Sequence, residues 1–193
     1  MTNVPHHTTF VLLAAGAGKR FSGPIHKLLA DVRGLPVVTH AVRAMVAAGG
    51  GLVITGAQDS PEFHAALEGV PAVTNPEWES GQRSSVRVAI AAARDAGADQ
   101  VVIGLADQPF VGADAWRAVA AAEAPIAVAT YEGRRGNPVK LRRDTWEEFE
   151  NVAGDPDAGA RTLMALHPDW VVEVACQGSS DDIDTREDLA KWI

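Results

Sequence analysis

Continuous apolar runs alternate with helical apolar stripes along the chain. Residues 10–14, FVLLA, form an unbroken apolar run as long as a buried strand, and residues 100–105 form another. Such runs suit parallel strands covered on both faces. Shorter strand candidates fall at 52–55, 70–74, 126–130, 139–141 and 170–174. Between them, Val37, Val38, Ala41, Val42, Met45 and Val46 recur at helical spacing. Pro36 is placed to open that helix, and Gly49, Gly50 and Gly51 stop it. Further helices are predicted at 61–67, at 113–122, at 144–151, at 158–166 and from Arg186 onward. One more, running to about residue 96, shows Val86, Ile90 and Ala93 on one face, with Ser84 or Ser85 as its cap. The alternation predicts the α/β class: a single-domain, doubly wound, mainly parallel sheet with helices on both faces. Residues 1–193 are expected to form one unit, with 1–8 as a frayed lead-in. Ligands of such sheets lie beyond the carboxyl ends of the strands, so the residues after 14 and after 105 carry the most weight.

Composition narrows the functional classes. No apolar run approaches 18 residues, so no transmembrane helix is expected. The opening MTNVPHHTT has neither a basic region nor a cleavage pattern, so no signal peptide is expected. Cys176 is the single cysteine, which excludes a disulfide within the chain and a multi-cysteine zinc site. A cytoplasmic location follows as an expectation. A net charge of −8 argues against nucleic acid or an anionic membrane as partner.

The stretch after the first strand runs against that acidic balance. Ala15-Gly16-Ala17-Gly18 forms a small-residue turn, and from 19 to 33 the cations Lys19, Arg20, Lys27 and Arg33 oppose only Asp31. Glycines allow a tight bend that points several N–H groups at one place, a nest for phosphate oxygens. A P-loop does not fit, because Arg20 follows Lys19 and Leu13 stands five before Gly18. A dinucleotide fingerprint does not fit either, because Phe21 takes its third glycine position.

Acids stand at two distant places. Asp107, in Leu105-Ala106-Asp107-Gln108-Pro109, follows the most hydrophobic strand and is either poised over the ligand crevice or caps the next helix. Residues 181–189 carry five acids in nine positions. Asp184 or Thr185 can cap the last helix, and Glu187 and Asp188 then complement its dipole. Three aspartates ahead of that helix repel one another unless a cation lies nearby. The histidines show no HxxxH or HExxH spacing, and no Ser-His-Asp order or paired glutamates suggest hydrolysis.

The string LAAGAGKRF followed by Lys27 resembles the signature loop of nucleotidyltransferases that activate sugars, alcohols and molybdopterin. It is most similar to the molybdenum cofactor cytidylyltransferases. Four further segments resemble motifs of that family in the same order: NPEWESGQRSS from Asn75, ADQP at Asp107, GNP at Gly136, and DAGAR at Asp157. A fifth, DIDTREDL from Asp182, has Arg186 where proline is usual, and Pro156 replaces a glycine ahead of Asp157. The resemblance implies a nucleotide-diphospho-sugar transferase-like fold. It also implies transfer of CMP from CTP to the terminal phosphate of a molybdopterin-type cofactor, with release of pyrophosphate.

By the same resemblance Leu13, Ala14, Ala15, Gly16, Gly18, Arg20 and Lys27 hold the nucleotide with Gly81, Ser85 and Asp107. Lys27, Arg20 and Asp107 are the catalytic candidates. Asp107 and Asp184 would hold Mg²⁺, with Asp182 in reserve. Asn137, Pro138, Asp157, Gly159 and Arg161 would face the acceptor, and Arg134 and Arg135 are either phosphate contacts or exposed. Arg83 is left to substrate or solvent, and His26 to a substrate contact or a plain loop role. LAAG rather than LAGG favours CTP over GTP. A sugar phosphate or another small phosphorylated acceptor is an alternative. So is a non-catalytic nucleotide-binding carrier that hands cofactor to a recipient molybdoenzyme.

Overall fold

The computed structural model describes residues 6–192. The expected lead-in lies outside the described residues for 1–5, and Thr8 already belongs to the first strand. The chain begins with β1 (Thr8–Ala14), a 3₁₀ turn at Lys27–Leu29, a small ribbon of β2 (Asp31–Val32) and β3 (Leu35–Pro36), and α1 (Val37–Ala48). It continues with β4 (Leu52–Thr55), α2 (Pro61–Ala66), β5 (Ala72–Thr74), α3 (Gln82–Asp95) and β6 (Gln100–Leu105). Then come α4 (Ala113–Ala121), β7 (Ile126–Tyr131), β8 (Arg134–Arg142) and α5 (Trp146–Asn151). The last elements are α6 (Arg161–Leu166), β9 (Val171–Ala175) and α7 (Arg186–Ala190).

Seven strands form one sheet in the order β5-β4-β1-β6-β8-β7-β9. All neighbours are parallel except at β8, which runs against both β6 and β7. The strand order turns at β1, with β4 on one side and β6 on the other, so the crevice beyond their carboxyl ends is the topological switch point.

Alternation along β1 divides the core in two. Phe10, Leu12 and Ala14 pack with Val38 and Met45 of α1, Phe63 of α2 and Trp116 of α4. Val11 and Leu13 face the other way, toward Ile90 of α3, Phe149 of α5 and Leu163 of α6. Each large side chain so buried contributes about 1.5–3 kcal/mol. Gly104 in β6 is forced by this packing, because a Cβ there would overlap the Trp116 indole. Gly51 plays a similar part after α1, where a Cβ would run into the Phe10 carbonyl.

Three expectations are revised. The short strand at 139–141 is the end of the nine-residue β8. The cap of α3 is Gly81, and Ser84 and Ser85 lie inside its first turn. The helix expected from 158 begins at Arg161, which leaves 156–160 as a loop over the sheet edge. Among the described residues no helix is long and apolar enough to cross a membrane.

Candidate active site

β1 and β6 deliver the two halves of the site to one rim. After β1 the backbone turns through Gly16 and Gly18, and among the described residues no backbone carbonyl pairs with the N–H groups of Gly16 to Lys19. Gly18 has φ +61°, and a Cβ there would lie 3.1 Å from Lys27 Cγ and 3.2 Å from His26 Nε2. The turn therefore rests on the stem of Lys27, and glycine is required by both conformation and space. Beside Gly16 a Cβ would meet nothing within 4 Å, so that face of the turn is open.

Lys27 joins the two distant acids. Its Nζ donates to Asp107 Oδ2 at 2.6 Å and to Asp184 Oδ1 at 2.7 Å. Arg20 Nη2 reaches the other Asp184 oxygen, Oδ2, at 2.7 Å while its side chain remains 75% exposed. Burial works against the charge on Lys27, but the two carboxylates outweigh it and raise its pKa. The cation that the aspartates need is thus supplied by the glycine-turn segment itself.

The 178–184 segment is laid onto the tip of β6 by specific bonds. Ile183 N donates to Asp107 O at 2.9 Å, and Gln108 Nε2 donates to Ser180 O at 2.9 Å and to Asp182 Oδ1 at 2.8 Å. Thr185, not Asp184, caps α7 in a reciprocal box with Asp188, which frees Asp184 for the cations. Arg186 has a role of its own: its Nε donates to Ser22 O at 2.7 Å and its guanidinium lies 5.7 Å from the Phe21 ring centre. Burial first, and then the charge on Asp107, push the Asp182 carboxyl up to about 6.

Hard oxygen donors converge here. Asp107 Oδ1 is buried and has no hydrogen-bond partner among the described residues, while its other oxygen and Asp184 hold Lys27. An unsatisfied carboxylate oxygen beside a second carboxylate fits a small divalent cation such as Mg²⁺. No group of three or more His, Cys, Asp or Glu able to hold an ion occurs among the described residues. An ion here would complete its shell with water or phosphate oxygens.

The loop ahead of α3 is held by Asn75. Its Nδ2 donates to Ser84 Oγ at 2.8 Å and Ser85 Oγ at 3.0 Å, and its Oδ1 accepts from Glu77 N at 2.9 Å. Ser84 spends its own proton on the Gly81 and Glu77 carbonyls, whereas Ser85, which lines the cleft, keeps its hydroxyl proton for a ligand. Gly81 has φ +107°, and a Cβ would lie 2.8 Å from Pro156 and from Asp157 Oδ1. Its missing side chain therefore admits the 156–160 loop. Gln82 N donates to Asp157 Oδ1 at 3.3 Å, and Arg83 N to Pro156 O at 2.8 Å, so the two loops are stitched together.

These parts enclose one cleft of about 1340 Å³. Leu13, Ala15, Gly16, Gly18, Arg20 and Lys27 line it. So do Gly81, Ser85, Asp107 and Asp184, and Asn137, Asp157, Gly159 and Arg161. Ala14 and Pro138 do not line it: Ala14 points into the α1 core. Arg135 lines the cleft while paired with Glu173 at 2.7 Å, and Arg134 is exposed. Arg161 donates to its own loop, to Asp157 O at 3.1 Å and Ala158 O at 3.3 Å.

Arg83 touches neither substrate space nor solvent. It is 6% exposed, donates to the Phe149 and Val152 carbonyls and stacks 4.6 Å from the Phe149 ring centre. His26 is a strut. Its Nδ1 accepts from Leu28 N, so Nε2 carries the proton and faces Gly16 O at 3.2 Å. Burial lowers its pKa, in keeping with that neutral tautomer. Sequence reasoning passed over Trp78 and Gln108, both in the cleft wall. Gly56 signals the first, since a Cβ there would lie 2.7 Å from Trp78 Cβ and 2.8 Å from Ala15 O.

A glycine turn with unpaired N–H groups and paired acids at the switch point of a doubly wound sheet define a nucleotide-binding α/β protein. The chain belongs to the MobA-like NTP transferase domain family, whose model matches residues 10–171. Purine catabolism protein PucB of Bacillus subtilis (strain 168) is 36% identical over 114 residues, 57% of this chain and 55% of that protein. Bifunctional protein GlmU of Gluconobacter oxydans (strain 621H) is 30% identical over 136 residues, 70% of this chain. The chain thus spans about half of the first relative and 30% of the second. Rv0371c from Mycobacterium tuberculosis H37Rv superposes with a TM-score of 0.80 at 26% identity over 98% of both chains, and a manganese complex of it gives 0.77. A nucleotidyl transferase from Methanothermobacter shares the fold, with a TM-score of 0.78 at 24% identity over 96% of this chain and 95% of that one.

Proposed function

We propose that the cleft carries out Mg²⁺-dependent nucleotidyl transfer, moving CMP from CTP to the terminal phosphate of a molybdopterin-type cofactor and releasing pyrophosphate. One observation carries this reading: Lys27 stands between Asp107 and Asp184 with its stem against Gly18, so cation, carboxylates and phosphate nest share one rim.

Each group then has a task it can perform where it stands. The free N–H groups of the glycine turn and the exposed guanidinium of Arg20 bind the β- and γ-phosphates. Lys27 donates to an α-phosphate oxygen, where charge grows as phosphorus becomes pentacoordinate. Asp107 and Asp184 would hold Mg²⁺, which supplies charge neutralisation at the phosphate oxygens when bound. The manganese complex of the M. tuberculosis relative supports a divalent ion in this fold. Ser85, its oxygen already occupied by Asn75, offers a proton to an acceptor on the base edge, as cytosine O2 or N3 would need. Asn137 and Arg161 orient the acceptor phosphate, whose oxygen attacks in line, while Asp157 faces the uncharged part of the acceptor. No covalent intermediate is required, so positioning and charge supply the acceleration.

The test is pyrophosphate release with CTP or GTP in the presence of molybdenum-loaded molybdopterin, and with sugar phosphates in its place. Release with CTP and molybdopterin supports the proposal. GTP in place of CTP would make it a guanylyltransferase, and a sugar phosphate would change the acceptor. Nucleotide binding without pyrophosphate release would point to a carrier serving a recipient molybdoenzyme.

A further inference from the structure

Lys27 and Arg20 occupy three of the four carboxylate oxygens that a divalent ion could use, and leave Asp107 Oδ1 alone. Lys27 takes Asp107 Oδ2 at 2.6 Å and Asp184 Oδ1 at 2.7 Å, and Arg20 takes the remaining oxygen of Asp184. Mg²⁺ binds oxygen at about 2.0–2.1 Å, so an ion between the two carboxylates would press against the ammonium at close range. Two like charges that near one another, with the lysine side chain only 10% exposed, repel strongly. One of them must leave. The stem of Lys27 is held beside the glycine turn, where a Cβ on Gly18 would already be 3.1 Å from Cγ. Its ammonium end can therefore swing without the stem moving, and the turn is where phosphate oxygens would offer it a new anionic partner.

We infer that Lys27 is a built-in counter-ion that bars a divalent cation from Asp107 and Asp184 until nucleotide phosphates draw its ammonium away. Metal and nucleotide then enter together. Asp107 and Asp184 are kept neutralised meanwhile, and an ion without a nucleotide finds three of their four oxygens taken and a buried ammonium beside the fourth. This inference rests on the nucleotidyl-transfer reading for the nature of the anion, but its test reads metal binding alone.

Mn²⁺ binding to the full chain is measured by electron paramagnetic resonance without nucleotide, for the wild type and for Lys27→Met, Lys27→Gln and Lys27→Arg. The neutral variants are expected to bind Mn²⁺ at least tenfold more tightly than the wild type, and Lys27→Arg is expected to gain nothing. Equal or weaker binding in a folded neutral variant overturns the inference. In the wild type, the ¹⁵N resonance of the Lys27 ammonium gives a second readout that needs no variant. It should stay in place when Mg²⁺ is added alone and move when Mg²⁺ and a non-cleavable CTP analogue are added together. A shift with Mg²⁺ alone overturns the inference. Tighter Mn²⁺ binding in Lys27→Met without pyrophosphate release by the wild type would sink only the proposed reaction; release without tighter binding would sink only this inference.

Discussion

Replacing Asp107 by asparagine removes a charge without changing shape, and the structure says how the loss should divide between stability and activity. Breaking one partner of a buried ion pair ordinarily costs about 3–5 kcal/mol, because the other is left unpaired. Two features reduce that here. Lys27 keeps Asp184 at 2.7 Å, and Asp182 loses a like-charged neighbour that raises its pKa. The net loss should therefore be about 1–3 kcal/mol, a fall in Tm of roughly 2–4 °C per kcal/mol for a chain of this size. Turnover should fall much further, on the order of 100-fold or more, since one of the two carboxylates that would hold the charge-neutralising Mg²⁺ is gone. Thermal unfolding, Asp182 titration by NMR and pyrophosphate release on one preparation check the three parts. Asp182 should titrate below about 6, because burial remains but the Asp107 charge does not. A variant that keeps full activity at low Mg²⁺ refutes the reasoning about Asp107. So does one whose lost activity merely tracks its unfolded fraction.

Gly81→Ala should be destabilised, since φ +107° alone costs about 1–3 kcal/mol and the Cβ clash with Pro156 adds about 1–3 more. Binding of nucleotide and acceptor should weaken together, measured as KM for each. Arg83→Met should lose about 2 kcal/mol by urea unfolding through its carbonyl bonds to α5, with nucleotide KM unchanged. Lys140 is 2% exposed, and burial, helped by Arg142, lowers its pKa from 10.5 to about 8. Between those values the unfolded chain binds more protons, so stability should rise with pH across that window by roughly 3 kcal/mol. Lys140→Met should flatten the rise in a series of urea titrations at pH 7 to 11.

Much of the architecture was legible because β1 from Phe10 and β6 from Val101 are buried on both faces and read as apolar runs. The glycine turn and Asp107 were legible for the same reason, since each directly follows such a run. β8 was not. Its first half, Arg134-Arg135-Gly136-Asn137, is polar because it borders the cleft, and only Val139 and Leu141 show the alternation expected of a strand. Lys140 lies buried between them, capping the carboxyl end of α4 through Ala122 O, and a lysine at that position reads as solvent-facing. The resemblance brought Lys27, Asp107 and Asp184 to one site, but their direct pairing was not legible, for a different reason. Lys27 is 80 residues from Asp107 and 157 from Asp184, and no local pattern encodes which cation meets which acid. Arg83 was misread because its guanidinium is satisfied by carbonyls of α5 and the residue after it, which only the fold brings near.

The docking of residues 178–184 onto the tip of β6 has a consequence for a chain still being made. The glycine turn and Asp107 leave the ribosome well before Asp184, and residues 10–171, the span matched by the family model, stop short of it. Until Asp184 is made, Lys27 has one counter-charge where the finished protein gives it two. Arg186 clasping Ser22 across 164 residues of sequence, together with Arg20 and Lys27 on Asp184, then locks the earliest and latest pieces of the rim against each other.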